Sequence, residues 1–131
     1  MVLLDTHVLV WMLSSPAKVS REAARHIRKA QREDGCAIAS ITLWELALLY
    51  DRNRLRGAGT IEASIREILE KSRVTVIEIT PEIAALTRSF PDSYPKDPCD
   101  RLIGATARAF GMTLVTQDEK ILASPLVRSV W

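Results

Sequence analysis

Four acidic residues, spread over the whole chain, stand where a strand is expected to end or a helix to begin. They are Asp5, Glu45, Asp100 and Asp118. In a sheet of parallel strands, the carboxyl ends of the strands and the amino ends of the helices share one edge, so these side chains are expected to lie together. Two carboxylates about 5 Å apart repel each other by about 3 kcal/mol at an effective dielectric constant near 20. Four converging acids therefore predict a bound hard cation, Mg²⁺ or Mn²⁺, which takes oxygen ligands.

A metal ion at such an edge suits hydrolysis of phosphodiesters. One or two ions polarise the phosphodiester and lower the pKa of a bound water, which then attacks in line. Structural explanations stay open for two of the acids. Taken by itself, Asp5 is typical of a helix N-cap, and the helix dipole favours a glutamate such as Glu45 near a helix amino terminus. Glu45 lies between Trp44 and Leu46, however, and a carboxylate among apolar neighbours costs free energy unless it is paired or binds metal. This surrounding favours a functional role for Glu45.

The last third of the chain has the clearest local pattern. Asp97 followed by Pro98 predicts the start of a helix, and Gly111 predicts its end. The apolar stripe of this helix consists of Leu102, Ile103, Ala105, Thr106, Ala109 and Phe110. A strand is expected directly afterwards, over Thr113 to Thr116.

The whole chain alternates between short apolar runs and helical patterns. Strands are expected over Met1–Leu4, Cys36–Ala39, Val74–Ile79, Thr113–Thr116 and Val127–Trp131. Helices are expected between them, one capped by Ser20 and another by Thr80 ahead of Pro81. The long irregular loop Phe90–Lys96 ends next to Asp97, so we expect it to border or cover the site. This alternation predicts an α/β domain whose parallel sheet is covered by helices on both sides.

Composition narrows the class of protein. A chain of 131 residues with 47% hydrophobic and 26% charged residues is expected to form one globular domain, residues 1–131. No apolar run is long enough for a membrane span, and the opening lacks the features of a signal peptide. Cys36 and Cys99 lack the spacing of a zinc site, so we expect reduced cysteines in a cytoplasmic protein.

Basic residues gather on one predicted helix, although the formal net charge is only +2. Spacings of three and four residues place four arginines on one face: Arg21, Arg25, Arg28 and Arg32. This predicted helix, capped by Ser20 and running to about Glu33, is labelled α2, and we refer to the four residues as the α2 arginine stripe. Two explanations stay open, a solvated surface and a patch that faces phosphates.

Four segments together resemble PIN domains, a family of metal-dependent ribonucleases. The segments are residues 3–11 (LLDTHVLVW), 40–46 (SITLWEL), 97–107 (DPCDRLIGATA) and 114–121 (LVTQDEKI). They follow the order and spacing of the family, and the resemblance runs from Val2 to Trp131. The length is similar to that of the VapC toxins of bacterial and archaeal VapBC toxin–antitoxin pairs. The resemblance implies a five-stranded parallel sheet with flanking helices and an endoribonuclease that cuts RNA at an acidic metal site.

The resemblance also assigns roles to individual residues. Asp5 and Asp100 match the main metal ligands of the family, and Glu45 and Asp118 match its other acids. Asp97 is interpreted as a helix cap and not as a ligand. On this basis we predict that the four matching acids are catalytic, that they hold Mg²⁺ or Mn²⁺, and that a metal-activated water attacks the scissile phosphate.

Further side chains and partners follow from the same resemblance. Thr6 and Thr116 match hydroxyl positions that orient carboxylates or water. Lys96 and Arg101 flank the site and are expected to contact RNA phosphates, as is the α2 arginine stripe. A cognate antitoxin protein is implied, and so is a homodimer whose face includes Met12, Leu46, Leu49 and Tyr50.

Other classes of function fit less well. An aspartate-based phosphatase needs a second Asp two residues after the first, and that position is His7. A receiver domain needs a phosphoacceptor Asp in mid-chain and a late Lys at a strand end, and neither is evident. The alternative that stays open is a non-catalytic PIN-like module that binds RNA or protein, although the presence of all four acids argues against loss of the site.

Overall fold

A five-stranded parallel sheet runs through the middle of the computed structural model, which describes residues 1–131. Its strands are β1 (Val2–Leu4), β2 (Cys36–Ala39), β3 (Thr75–Ile77), β4 (Thr113–Val115) and β5 (Ser129–Val130). They are arranged in the order β3-β2-β1-β4-β5, and every neighbouring pair is parallel. The predicted α/β class with five parallel strands is therefore confirmed.

Seven α-helices connect and cover the strands. They are α1 (Thr6–Ser14), α2 (Arg21–Arg32), α3 (Ile41–Asp51), α4 (Ile61–Ser72), α5 (Pro81–Leu86), α6 (Pro98–Phe110) and α7 (Glu119–Leu122). Short 3₁₀ turns occupy Pro16–Lys18 and Thr87–Ser89. The helices are all too short or too polar to span a bilayer.

Successive residues of the central strands point to opposite faces of the sheet, and both faces are buried. Leu3 and Leu114 pack into one core cluster together with residues of α5, α6 and α7. Leu4 and Val115 pack into a second cluster together with residues of α1 and α2 and with Leu46 of α3. This two-sided burial explains why the central strands are continuous apolar runs in the sequence.

Local signals place the helix starts correctly. The Ser20 hydroxyl accepts a hydrogen bond from the Ala23 amide, and the Thr80 hydroxyl accepts one from the Ile83 amide. At the end of α6, Gly111 adopts a φ of 62°, the left-handed conformation that suits glycine. The edge strands β3 and β5 are shorter than predicted, because each has a neighbour on one side only and fewer residues join the ladder.

The order in which successive strands are added to the sheet reverses between β1 and β4. It proceeds outward from β1 to β2 and β3, and then returns to place β4 on the other side of β1. In open α/β sheets, ligands bind in the crevice outside the carboxyl ends of the strands at such a switch point. Asp5 directly follows β1 and Asp118 follows β4, so both stand at this crevice.

The loop Phe90–Lys96 packs inward and does not form a cover. The Phe90 and Tyr94 rings stack with their centroids 4.0 Å apart, and both side chains are buried in the first core cluster. The Tyr94 hydroxyl donates to the Asp100 carbonyl oxygen at 3.1 Å. The Arg101 guanidinium donates to the Pro95 carbonyl oxygen at 3.0 Å. The loop therefore packs against the amino end of α6 and is tied to it by these hydrogen bonds.

Two predicted side-chain placements are wrong. Phe110 was expected in the apolar stripe of α6, but it is the last residue of the helix and is 53% exposed. Leu46 was expected on a dimer face, but it is fully buried in the second core cluster. Helical periodicity identifies the apolar face of a helix, but it does not show which residues of that face are covered by the core of the protein.

We predict that Gly104→Ala lowers the free energy of unfolding. A Cβ atom at Gly104 would lie 2.2 Å from the Tyr94 hydroxyl oxygen and 3.1 Å from the Phe90 ring. Overpacking of this kind costs about 1–3 kcal/mol, which exceeds the gain of up to about 1 kcal/mol that alanine brings to a helix interior. Denaturant unfolding followed by circular dichroism measures the difference.

The same substitution in a Tyr94→Phe background serves as the control. Removing the hydroxyl removes the shortest contact, so the loss caused by Gly104→Ala should be smaller there. A Gly104→Ala chain at least as stable as the wild type would contradict the view that close packing requires glycine at this position.

Candidate active site

An open cleft of about 590 Å³ lies at the switch point and brings acidic residues together. The acids that line it are Asp5, Glu45, Asp97, Asp100, Asp118 and Glu119. All four acids singled out in the sequence are thus in one place, as their positions at strand and helix ends predict. Sequence reasoning missed Glu119 as a lining residue and treated Asp97 as a cap alone.

Asp5 caps a helix and also lines the cleft. One carboxylate oxygen accepts a hydrogen bond from the Thr6 amide at 2.8 Å and caps α1. The other accepts from the Thr116 hydroxyl at 2.7 Å. The Asp5 amide in turn donates to the Val115 carbonyl oxygen at 3.0 Å. These bonds fix the carboxylate between the ends of β1 and β4.

Glu45 is held by a chain of buried hydroxyls. The Thr6 hydroxyl donates to a Glu45 carboxylate oxygen at 2.6 Å, and the Thr6 and Thr42 hydroxyl oxygens are 3.0 Å apart. Because a hydroxyl has a single proton to donate, Thr42 must donate to Thr6. Burial is the main cause that raises the pKa of Glu45. Thr42 was not predicted to act here, although its place three residues before Glu45 on α3 puts both on one helix face.

Thr116 links the first and last acids of the cleft. Its hydroxyl donates to Asp5 and accepts from the Asp118 amide at 3.1 Å. Asp118 uses one carboxylate oxygen to cap α7, accepting from the Lys120 amide at 2.9 Å and the Ile121 amide at 3.1 Å. The prediction that Thr6 and Thr116 orient carboxylates agrees with these contacts.

Asp100 is the acid most perturbed by its surroundings. It lies in the first turn of α6, half-buried, and its carboxylate has no hydrogen-bond partner, whereas Asp97 caps the helix by accepting from the Cys99 amide at 2.8 Å. Burial, and then the negative charges of the other acids, raise the pKa of Asp100 to about 7. The negative charge of Asp100 is therefore disfavoured in the cleft, first by burial and then by repulsion from the neighbouring acids.

The chemistry of the donor set suits a hard cation. All the acidic groups offer carboxylate oxygens, which Mg²⁺ and Mn²⁺ prefer, and a cation would relieve the repulsion felt by Asp100. The side chains do not form a ready coordination sphere, since no three His, Cys, Asp or Glu groups are placed to hold one ion together. Hydrogen bonds to Thr6, Thr116 and the amides of α7 keep three of the carboxylates in their present positions.

The basic residues predicted to contact RNA do not line the cleft. The arginines of the α2 stripe are exposed on a helix that packs against β1 and β2, and Arg25 is paired with Glu22. The Arg101 guanidinium is committed to loop carbonyl oxygens, so the expectation that it contacts phosphate is not supported by its geometry. Lys96 is exposed next to Asp97 at the edge of the cleft.

We predict that Asp100→Asn stabilises the metal-free chain at alkaline pH. Folding raises the pKa of Asp100 from its ordinary 3.8 to about 7, so ionisation of this acid disfavours the folded state increasingly between these two pH values. At pH 8 in EDTA, removing the charge should raise the free energy of unfolding by about 1–2 kcal/mol, after allowance for solvent screening. Below pH 4 the charge-dependent part of this difference should vanish. Denaturant titrations at several pH values measure it.

Asp92→Asn is the matched control, because Asp92 is an exposed acid of the Phe90–Lys96 loop outside the cleft. Its stability relative to the wild type should not change with pH in the same way. An Asp100→Asn chain that becomes less stable than the wild type as the pH rises would contradict the charge repulsion inferred here.

Comparison with known proteins identifies relatives of the whole chain. The profile of the PIN domain family matches residues 2–124. Ribonuclease VapC22 from Mycobacterium tuberculosis is 37% identical, over 99% of this chain and 98% of that protein.

Solved structures share the fold at lower identity. VapBC2 from Rickettsia felis, in a crystal structure bound to a DNA fragment from its promoter, has a TM-score of 0.73 at 18% identity and covers 99% of this chain and 98% of its own. VapBC-1 from nontypeable Haemophilus influenzae has a TM-score of 0.68 at 20% identity, with 99% and 97% covered. A toxin–antitoxin complex from Klebsiella pneumoniae has a TM-score of 0.67 at 23% identity, with 97% and 95% covered. Because the family profile spans residues 2–124 and a relative of 37% identity spans nearly the whole chain, this protein belongs to the PIN domain family.

Proposed function

We propose that this protein is a metal-dependent endoribonuclease of the VapC type, which hydrolyses RNA phosphodiester bonds as the toxin of a toxin–antitoxin pair. The observation that carries the proposal is the gathering of six carboxylates in one open cleft at the switch point of the sheet. The 37% identity to Ribonuclease VapC22 over nearly the whole length supports the same reaction class.

In this proposal, Asp5, Glu45, Asp100 and Asp118 are the catalytic residues and would hold Mg²⁺ or Mn²⁺. Such an ion, when bound, polarises the phosphodiester and lowers the pKa of water. Asp100 is the acid whose negative charge is most disfavoured when no cation is bound, since no group donates a hydrogen bond to its carboxylate. The other three carboxylates are held by donors from the ends of β1, β4 and α7, and each accepts its bonds in a fixed orientation.

The hydroxyls of Thr6, Thr42 and Thr116 are positioning groups in this mechanism. All three residues are fully buried, so their hydrogen bonds to Glu45 and Asp5 do not compete with water. A carboxylate that is already fixed gives up less rotational freedom when a cation binds, and the carboxylates would only have to move closer together to share one ion.

The partners follow from the same reaction class. We propose RNA as the substrate and a cognate antitoxin as the protein partner, because the solved relatives include toxin–antitoxin complexes. We also propose that the chain is cytoplasmic, forms a homodimer, and is one PIN domain over residues 1–131. β5 lies beyond the family match, but it pairs with β4, and the Trp131 ring packs against Trp11 at 5.9 Å between centroids. These contacts support including the last residues in the domain.

The reaction is tested with the purified chain, free of other proteins, on a panel of single-stranded and structured RNAs. We expect cleavage in Mg²⁺ or Mn²⁺ and none in EDTA. Asp100→Asn should lose at least 100-fold in rate, because the cleft loses the carboxylate whose charge a cation relieves. Asp92→Asn, which changes an exposed acid outside the cleft, should cleave like the wild type.

Two results would overturn this proposal. Cleavage that survives both EDTA and Asp100→Asn would mean that the cleft is not the site of reaction. A panel of RNAs that stays intact, while the protein still binds RNA or a partner, would favour the alternative of a non-catalytic PIN-like module.

We predict that Thr116→Val slows cleavage about 10- to 100-fold without unfolding the chain, because partners that orient metal-binding groups have effects of about this size. Valine has nearly the shape of threonine, but it removes the donor to Asp5 and the acceptor for the Asp118 amide. Initial rates at saturating metal, together with the melting temperature, measure the two effects separately.

Thr106→Val is the matched control. Thr106 is also a fully buried threonine, but its hydroxyl donates to the Leu102 carbonyl oxygen inside α6 and does not reach a cleft carboxylate. Its rate should stay within about threefold of the wild type. Equal rates for the two variants would show that the Thr116 hydroxyl does not position Asp5 for the reaction.

A further inference from the structure

A second depression, of about 740 Å³, opens directly into the acidic cleft. It shares His7, Glu45 and Asp97 with the cleft. One wall is a face of α3 formed by residues spaced three or four apart: Ile41, Trp44, Leu48 and Arg52. The opposite wall is the amino end of α6, with Pro98 and Cys99. We refer to this depression as the Trp44 groove.

The Trp44 ring is the one large apolar side chain of the groove that is strongly exposed. It is 55% exposed, whereas Ile41, Leu48 and Leu49 are partly buried. Trp44 also has no aromatic partner, in contrast to Trp11, which packs against Trp131 and His7. An exposed indole beside an active cleft offers a flat face on which an unpaired base can stack.

Beyond the groove, the connection between α3 and α4 carries three arginines. Arg52, Arg54 and Arg56 are all exposed, and none of them forms an ion pair. This connection is nevertheless anchored, because Leu55 packs against the second core cluster and a Cβ atom at Gly57 would lie 2.0 Å from the Ser64 hydroxyl oxygen. Of the three, Arg52 lines the Trp44 groove, so its unpaired guanidinium group is available to contact a phosphate there, whereas Arg56 lines a different depression beside Ser64.

The acid, the ring and the cation are all positioned by α3. Glu45 lines the cleft, the neighbouring Trp44 lines the groove, and Arg52, which caps the end of α3, lies seven residues after Glu45, about 10 Å along the helix axis. A strand of RNA that passes from the acidic cleft along the groove would meet these groups in that order.

We propose that the Trp44 groove binds the RNA nucleotide next to the scissile phosphate, with its unpaired base stacked on Trp44 and the adjoining phosphate held by Arg52. This proposal rests on the proposed function, since it defines a subsite of the same reaction. It places RNA recognition at the end of α3 and not on the α2 arginine stripe. Because stacking tolerates every base, the groove selects unpaired RNA more than a particular sequence.

RNA fits the groove better than a protein surface does. Stable protein interfaces bury about 800 Å² on each partner and centre on a contiguous apolar patch. Trp44 is the only strongly exposed large hydrophobic side chain in the groove, and the far end carries unpaired positive charge. A single ring followed by an arginine complements a base and its phosphate.

The test measures binding of a short, labelled, single-stranded oligoribonucleotide in Mg²⁺ by fluorescence anisotropy, in an Asp100→Asn background that does not cleave. We expect Trp44→Ala to weaken binding about 5- to 100-fold, the range reported by alanine substitution for stacking of one base. Trp44→Phe keeps an aromatic face and should bind within about threefold of the background chain. Phe110→Ala removes an equally exposed ring at the far end of α6 and should leave binding unchanged.

The phosphate contacts are tested by the salt dependence of binding. Arg52→Ala should weaken binding and lower the slope of log affinity against log salt by about one. Arg128→Ala is the matched control, because Arg128 is exposed and unpaired just before β5, at the opposite edge of the sheet. Its affinity and slope should equal those of the background chain.

Three outcomes would overturn the proposal. They are binding by Trp44→Ala as tight as binding by Phe110→Ala, a larger loss of affinity for Arg28→Ala on the α2 stripe than for Arg52→Ala, and sedimentation showing that the loss in Trp44→Ala only follows dissociation of a dimer. The wild-type cleavage assay separates this failure from failure of the proposed function. If the wild type cleaves RNA in a metal-dependent way but Trp44→Ala binds RNA unchanged, only the proposal for the Trp44 groove is rejected. If binding depends on Trp44 but the wild type cleaves no RNA, the proposed ribonuclease function is rejected.

Discussion

Repulsion among carboxylates at one edge of the sheet is the constraint on which the rest of the structure depends. Six acids line one cleft, and the pKa of Asp100 is raised to about 7 by burial and by its neighbours. The free energy that offsets this repulsion comes from elsewhere, chiefly from the central strands buried between two core clusters. Buried hydroxyls and backbone amides then fix the carboxylates individually, so that the charge is held in place and not dispersed into solvent.

The structural and functional explanations of these acids turn out to be compatible. Asp5, Asp97 and Asp118 each cap a helix, and each also lines the cleft. In a parallel sheet, the start of a helix and the ligand-binding edge are the same place, so a residue that begins a helix is already near the site. Each of these acids uses one carboxylate oxygen to cap its helix, and the side chain still lines the cleft. Because the same acids cap helices and line the cleft, a chain of 131 residues can place many acids together.

The sequence was sufficient for features that depend on local chemistry. The strands β1, β2 and β4 follow from apolar runs, and the starts of α2, α5 and α6 follow from their caps. Features that depend on packing between distant segments were not predictable. Thr42 reaches the site only because α3 lies beside Thr6, and Arg101 turns to the loop because carbonyl oxygens gather there. Periodicity alone likewise did not show that Leu46 faces the sheet while Trp44 on the same helix faces outward.

The hydrogen bond between Thr116 and Asp5 joins residues 111 positions apart and has a consequence for synthesis of the protein. Asp5 is translated 111 residues before Thr116, which supplies its orienting hydroxyl. A growing polypeptide therefore lacks the assembled cleft until β4 has taken its place beside β1. If the cleft is the centre of a ribonuclease, the messenger and ribosome that produce it are exposed to a complete enzyme only after β4 has been translated and has paired with β1.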